Sequence, residues 1–157
     1  MSLISRILPA SNVVLDLPAT SKKRAFEHAA LLFENHHGLP RLAVFDSLFA
    51  RERLGSTALG HGVAVPHGRI KGLNEAVATF VRLAQPVPFD APDGQPVRML
   101  MFLLVPEVAT QQHLEILAEL AHMLSSKELR TALCEAETPE KVHELLAGWQ
   151  PAFSDTP

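Results

Sequence analysis

Apolar positions along this chain alternate between helical and strand spacing, and each change of spacing marks an element. Val13-Val-Leu-Asp-Leu17 is a run of strand formers closed by Pro18. Thr20 or Ser21 then serves as a helix cap, and Phe26, Ala29, Ala30 and Phe33 recur at helical spacing to about Asn35. Gly38 ends that helix and Pro40 opens the next, with Leu42, Phe45, Leu48 and Phe49 expected inward and an end near Arg53. A turn-rich connection leads to a short strand, Val63-Ala64-Val65, that stops at Pro66 and presents His67 on a turn. Ala76 to Leu83 has strand character, and 84–96, rich in proline and holding Asp93-Gly94, reads as a loop or hairpin. Val97 to Val105 is almost unbroken apolar sequence, as in a strand buried on both faces, and Pro106 stops it. From about Thr110, Leu114, Leu117, Leu120, Ala121 and Leu124 form the stripe of an amphipathic helix. Ser125-Ser-Lys-Glu128 has capping-box spacing for a further helix to about Glu135. Thr138-Pro139 opens the last helix, which Gly148 ends with Trp149 packed against it.

Helices and strands interleave without strict βαβ repetition, internal repeat or linker. The expected architecture is therefore a single α/β (α+β) domain, a mixed β-sheet flanked by helices on both faces. It spans residues 1–150, with 151–157 as a disordered or fraying tail. A chain of 157 residues buries roughly 70% of its unfolded surface and needs no staples. The net charge of −3 removes the broad basic surface required for nucleic acid or a polybasic membrane anchor. The apolar run from Met99 to Val105 is too short to span a bilayer as a helix, and the N-terminus lacks the order of a signal peptide. A cytoplasmic protein without membrane insertion is expected. The single cysteine, Cys134, allows no internal disulfide and no multi-cysteine metal site, and its helical setting suggests a packed thiol.

The candidate chemistry lies between Arg51 and Arg69. Glycines at 55, 60 and 62 let this backbone bend sharply, and arginines at 51, 53 and 69 surround it with positive charge. His67 stands between Pro66 and Gly68, a rigid but accessible place for an imidazole. A neutral imidazole has one free lone pair near neutral pH and is a competent nucleophile without prior activation. Attack on a phosphoryl group then needs in-line positioning and neutralisation of the phosphoryl oxygens. Arg51, Arg53, Arg69, the hydroxyls of Ser56 and Thr57, and the amides of Gly55 and Gly68 are the candidates for that neutralisation. A second imidazole, His113, falls at a helix N-terminus after the apolar strand, where exposed amides favour a phosphate. His61, one short loop away, either lines the site or covers it. His36 and His37 end a helix and are assigned no chemistry. Taken alone, a histidine in a turn is more often structural, and the Gly/Arg/Ser/Thr setting reverses that weighting for His67. A zinc site built from His61, His67 and His113 is the reading from another class, and the local arginines oppose a dication there.

These residues resemble the enzyme IIA domain of the phosphotransferase system, fructose/mannitol type. The matching segments are Arg53-Leu-Gly-Ser-Thr57, Gly60, Gly62-Val-Ala-Val-Pro-His-Gly-Arg69, Leu103-Leu-Val-Pro106 and His113-Leu-Glu-Ile-Leu117, in the family's order and spacing. Ser21-Lys-Lys-Arg-Ala-Phe-Glu27 after an Ile-Leu-Pro opening is similar to the nitrogen-regulatory branch. The resemblance implies that His67 is the phospho-acceptor and His113 the second active-site histidine, with Arg51 and Arg53 facing the phosphate and Arg69 more peripheral. It implies a phosphotransferase component that carries a transient phosphohistidine, uses no cofactor and turns over no small molecule alone. The implied donor is an HPr-like carrier fed from phosphoenolpyruvate through an enzyme I paralogue. The implied targets are regulatory proteins of potassium transport or sensor kinases. A sugar-specific IIA that passes its phosphate to a separate IIB is the alternative within the family. His61 departs from the family, which more often has asparagine between these two glycines, and Ala58 replaces a frequent glycine.

Overall fold

Most element ends are set by the local chemistry of the chain. The computed structural model describes residues 3–108 and 110–150, so the expected tail at 151–157 lies outside the described residues. A short helix α1 (Leu3–Ile7) and a 3-10 turn at Ala10–Asn12 lead into strand β1 (Val13–Leu17). The Ser21 side chain caps α2 (Lys22–His37) by accepting from the Arg24 amide. Gly38 ends that helix at φ 68°, a left-handed conformation that costs glycine little. Helix α3 (Arg41–Leu54) follows Pro40. Three short strands then cross the glycine-rich segment: β2 (Ala58–Gly60), β3 (Val63–Ala64) and β4 (His67–Ile70). The long strands β5 (Val77–Val87) and β6 (Val97–Pro106) precede α4 (Gln111–Leu124), α5 (Lys127–Glu135) and α6 (Pro139–Ala147). Ser126 and Thr138 cap the last two helices through the amides of Leu129 and Lys141, which places the α5 cap one residue beyond Ser125.

The six strands form one mixed sheet in the order β1-β5-β6-β3-β2, with β4 also paired to β6. β1 is parallel to β5, β5 is antiparallel to β6, and β3 and β4 both run parallel to β6. Val63 lies opposite Met99, Ala64 opposite Leu100 and His67 opposite Leu103, so the offset is the same on both sides of Val65-Pro66. β3 and β4 are thus two stretches of one line along β6. Pro66 removes one N–H from the ladder without shifting it, and its carbonyl still accepts from the Leu103 amide at 2.9 Å. His67 therefore stands on a strand, not on the turn expected from its flanking proline and glycine.

Helices cover both faces of the sheet, as expected, because β6 supplies two cores by alternation. Met99, Met101, Leu103 and Val105 pack with α1, α4, α5 and α6, whereas Leu100, Phe102 and Leu104 pack with α2 and α3. The helical phase differs from expectation in two places. In α3 the inward face is Val44, Leu48 and Glu52, and Leu42, about 200° away from Val44 on the helix, is 72% exposed. In α4 the buried face is Ile116, Leu120, Met123 and Leu124, and Leu114 is 57% exposed for the same reason. Cys134 is also exposed, because Leu129 and Leu133 take the inward face of α5.

Candidate active site

Because β4 and β6 run parallel, their C-terminal ends open at the same edge of the sheet. The start of α4 and the second half of α3 close over that edge. His67, Arg69, Val105, His113, Leu114, Ser47, Arg51 and Leu54 there line a cleft of about 460 Å³. The approach of α3 to β4 depends on Gly68, where an added Cβ would stand 3.1 Å from the Ser47 carbonyl carbon and 3.2 Å from the Leu48 amide nitrogen. Ser47 also donates its hydroxyl to the Arg69 carbonyl at 2.8 Å.

The two imidazoles in this cleft are held in opposite tautomers. His67 Nδ1 lies 3.0 Å from the Val65 carbonyl, which only accepts, so Nδ1 carries the proton and Nε2 keeps its lone pair. His113 Nδ1 accepts from the Thr110 amide at 3.0 Å, so its proton sits on Nε2. One ring thus offers a nucleophile and the other a donor. Burial lowers the His67 pKa from its ordinary 6.5. The Val65 hydrogen bond opposes that shift, Arg51 adds to it, and Glu52 opposes it. The imidazole is correspondingly more fully neutral at pH 7.

The remaining residues singled out from sequence divide sharply. Arg51 and Arg69 line the cleft, and Arg51 Nη1 also donates to the Gly55 carbonyl at 2.8 Å. Arg53 is outside the lining and lies over the Phe49 ring, 5.0 Å from its centroid. Ser56 donates to the Phe89 carbonyl at 2.9 Å, and Thr57 donates its hydroxyl to Glu52 at 2.6 Å. Both hydroxyls therefore hold loops in place, and neither residue lines the cleft. His61 lies outside it as well, at the turn between β2 and β3, with φ 58° followed by Gly62 at 81°. Positive φ at both central residues is what a tight type I′ hairpin requires, and it explains why asparagine suits this position. Hydrogen bonds from the His61 and Gln95 amides lower the Asp93 pKa and tie this turn to the 93–95 loop. Among the described residues no group of three or more His, Cys, Asp or Glu side chains is arranged to hold a metal ion, so the zinc reading has no geometric basis here.

Glu52 was missed from sequence, although Val44, Leu48 and Glu52 repeat at i+4 and put a carboxylate on the buried face of α3. Leu54 and Leu114, 85% and 57% exposed, form an apolar rim to the cleft.

The site is thus a cleft at the end of a parallel strand pair in an α/β fold, lined by one imidazole with a bare Nε2 and another with a protonated one. The chain belongs to the family described as "Phosphoenolpyruvate-dependent sugar phosphotransferase system, EIIA 2", whose model matches residues 6–148. It is 39% identical to a nitrogen regulatory protein of Pseudomonas aeruginosa over 150 residues, covering 94% of this chain and 96% of that protein. It is 32% identical to a fructose-specific EIIA component of Haloferax volcanii, covering 92% of this chain and 94% of that protein. The crystal structure of nitrogen regulatory protein IIA-Ntr from Neisseria meningitidis superposes with a TM-score of 0.88 at 52% identity, covering 92% of this chain and 99% of that one. These likenesses point to the nitrogen-regulatory branch. Among the described residues no helix is long and apolar enough to cross a membrane.

Proposed function

We propose that this protein is a phosphoryl carrier that accepts phosphate on His67 Nε2 from an HPr-like phosphocarrier and regulates nitrogen- or potassium-linked targets by its phosphorylation state. The observation that carries this reading is the pair of opposed tautomers in one cleft. The His67 Nε2 lone pair attacks the phosphorus of the donor's phosphohistidine. The new N–P bond forms as the donor's N–P bond breaks, and that electron pair returns to the donor imidazole. The His67 ring becomes cationic, and its Nδ1 proton stays hydrogen-bonded to the Val65 carbonyl. His113 Nε2–H, Arg51 and Arg69 supply the donors and charge that the phosphoryl oxygens need. The apolar rim of Leu54 and Leu114 suits an apolar patch on the donor. Addition of phosphate changes the charge of this face, which is the signal a target reads.

The test is intact-mass spectrometry at mildly alkaline pH after incubation with phosphoenolpyruvate, enzyme I and an HPr-type carrier. The expected result is one added phosphate that mild acid removes and that His67→Ala lacks. Full labelling of His67→Ala would defeat the assignment. Similarity to a fructose-specific EIIA component supports a second reading, in which the phosphate passes to a separate IIB for carbohydrate uptake. Loss of label that depends on added IIB favours that reading, and retention of label in its presence favours the regulatory one.

A further inference from the structure

The carboxylate of Glu52 is nearly inaccessible, at 2% side-chain exposure, and three donors converge on it. The Thr57 amide donates at 3.2 Å, the Thr57 hydroxyl at 2.6 Å and Lys22 Nζ at 2.9 Å. An ionised carboxylate gives Lys22 Nζ a full counter-charge, which a glutamine amide lacks even though its NH₂ could donate to the Thr57 hydroxyl. Lys22 is fixed in turn over the Phe89 ring, 4.4 Å from its centroid, and Ser56 donates to the Phe89 carbonyl. Glu52 thus joins α2, the end of α3, the approach to β2 and the loop that follows β5.

The residue before it is Arg51, which lines the His67 cleft while its Nη1 donates to the Gly55 carbonyl at 2.8 Å. The Gly55 amide closes the same turn on the Glu52 carbonyl at 3.2 Å. The guanidinium is therefore oriented by a turn whose own position is set by the inward side chain next to it. A freely rotating arginine would lose much of its value to a phosphoryl group, since charge placed in advance is what stabilises the transition state.

We infer that Glu52 is a positioning residue for phosphoryl transfer, holding the 51–57 corner through Thr57 and Lys22 so that the Arg51 guanidinium stands at the His67 cleft. The inference rests on the carrier reading of His67 and goes beyond it in assigning the Gly-Ser-Thr segment to the alignment of Arg51. The hydroxyls of that segment do not serve as phosphate ligands.

A double-mutant cycle read by single-turnover transfer from the phosphorylated HPr-type carrier tests it. Glu52→Gln is expected to slow transfer about tenfold where Arg51 is present and less than about twofold in an Arg51→Ala background, because both changes remove one effect. Equal slowing in both backgrounds, or none in the first, would overturn the inference. If Glu52→Gln does not fold, Thr57→Val replaces it in the cycle with the same non-additivity expected. Labelling of His67→Ala, by contrast, would remove the carrier reading whatever the cycle gives.

Discussion

Proton placement on two rings distinguishes His67 from His113. Each Nδ1 is tied to the backbone, and the partner's nature, a carbonyl for His67 and an amide for His113, sets which Nε2 is bare. Removing the donor with His113→Ala is expected to slow single-turnover transfer by about a hundredfold, the usual cost of one preorganised donor, while the acid-labile label still forms. Unchanged kinetics would take His113 out of the site. An NMR titration of the His67 ring is expected to give a midpoint below 6.5, since burial outweighs the Val65 hydrogen bond. Arg51→Ala should raise that midpoint by removing a like charge, and an unmoved midpoint would separate Arg51 from the ring. At this scale the motif around His67 was readable in sequence because its neighbours are covalent neighbours. The destinations of Ser56 and Thr57 were not, because a hydroxyl bonds to whatever the fold brings near, here Phe89 and the inward Glu52.

Among the elements, the contact of α3 with β4 and the β2–β3 hairpin make opposite predictions. Gly68→Ala puts a Cβ 2.5 Å from the Ser47 hydroxyl oxygen, which must rotate away and leave the Arg69 carbonyl, and tightly against the Ser47 and Leu48 backbone, where no rotamer change gives relief. A loss of about 1–3 kcal/mol in chemical denaturation is expected, as for other overpacked sites, together with slower transfer as α3 moves from the cleft. His61→Asn replaces an imidazole held at φ 58° by the residue type best suited to that conformation. It should gain a few tenths of a kcal/mol, on the order of 0.5, and leave transfer unchanged, since His61 lies outside the cleft. A lower melting temperature would show that the His61 ring contributes something the turn geometry does not require. Helix caps at Ser21, Gly38 and Thr138 were legible because capping is a short-range interaction. The phases of α3 and α4 were not, because several faces of each helix carry leucine and only the packed sheet selects one. Leu42 and Leu114 fell on the rejected faces.

For the whole molecule, the most informative long-range link is buried Asn12, which joins the 3-10 turn to α2 and β5. Its Nδ2 donates to the Ala78 carbonyl at 2.9 Å, which fixes the amide orientation. The same nitrogen lies 2.7 Å from His37 Nε2, so that ring atom must be unprotonated, while His36 Nδ1 donates to Asn12 Oδ1 at 3.2 Å. Burial, followed by the neighbouring His36, lowers the His37 pKa from 6.5. His37 and His67 therefore bind fewer protons folded than unfolded, so stability is full above about pH 6.5 and is lost as pH falls through the lowered folded values. Melting temperature is expected to decline over that window, and His37→Gln, which can still accept from Asn12 without titrating, should flatten part of the decline. An unchanged slope would exclude His37 as a source. Sequence alone determined the elements with strong local signals, the doubly buried β6 and the residues around His67, because capping, periodicity and chain adjacency act over a few residues. Tertiary structure decided that β4 lies parallel to β6, that Arg51 and His113 share a cleft with His67 while Arg53, Ser56, Thr57 and His61 do not, and that Glu52 and Asn12 hold distant elements together. Those outcomes depend on strand register and on which helix faces are buried, and both are settled only when residues far apart in the chain pack against one sheet.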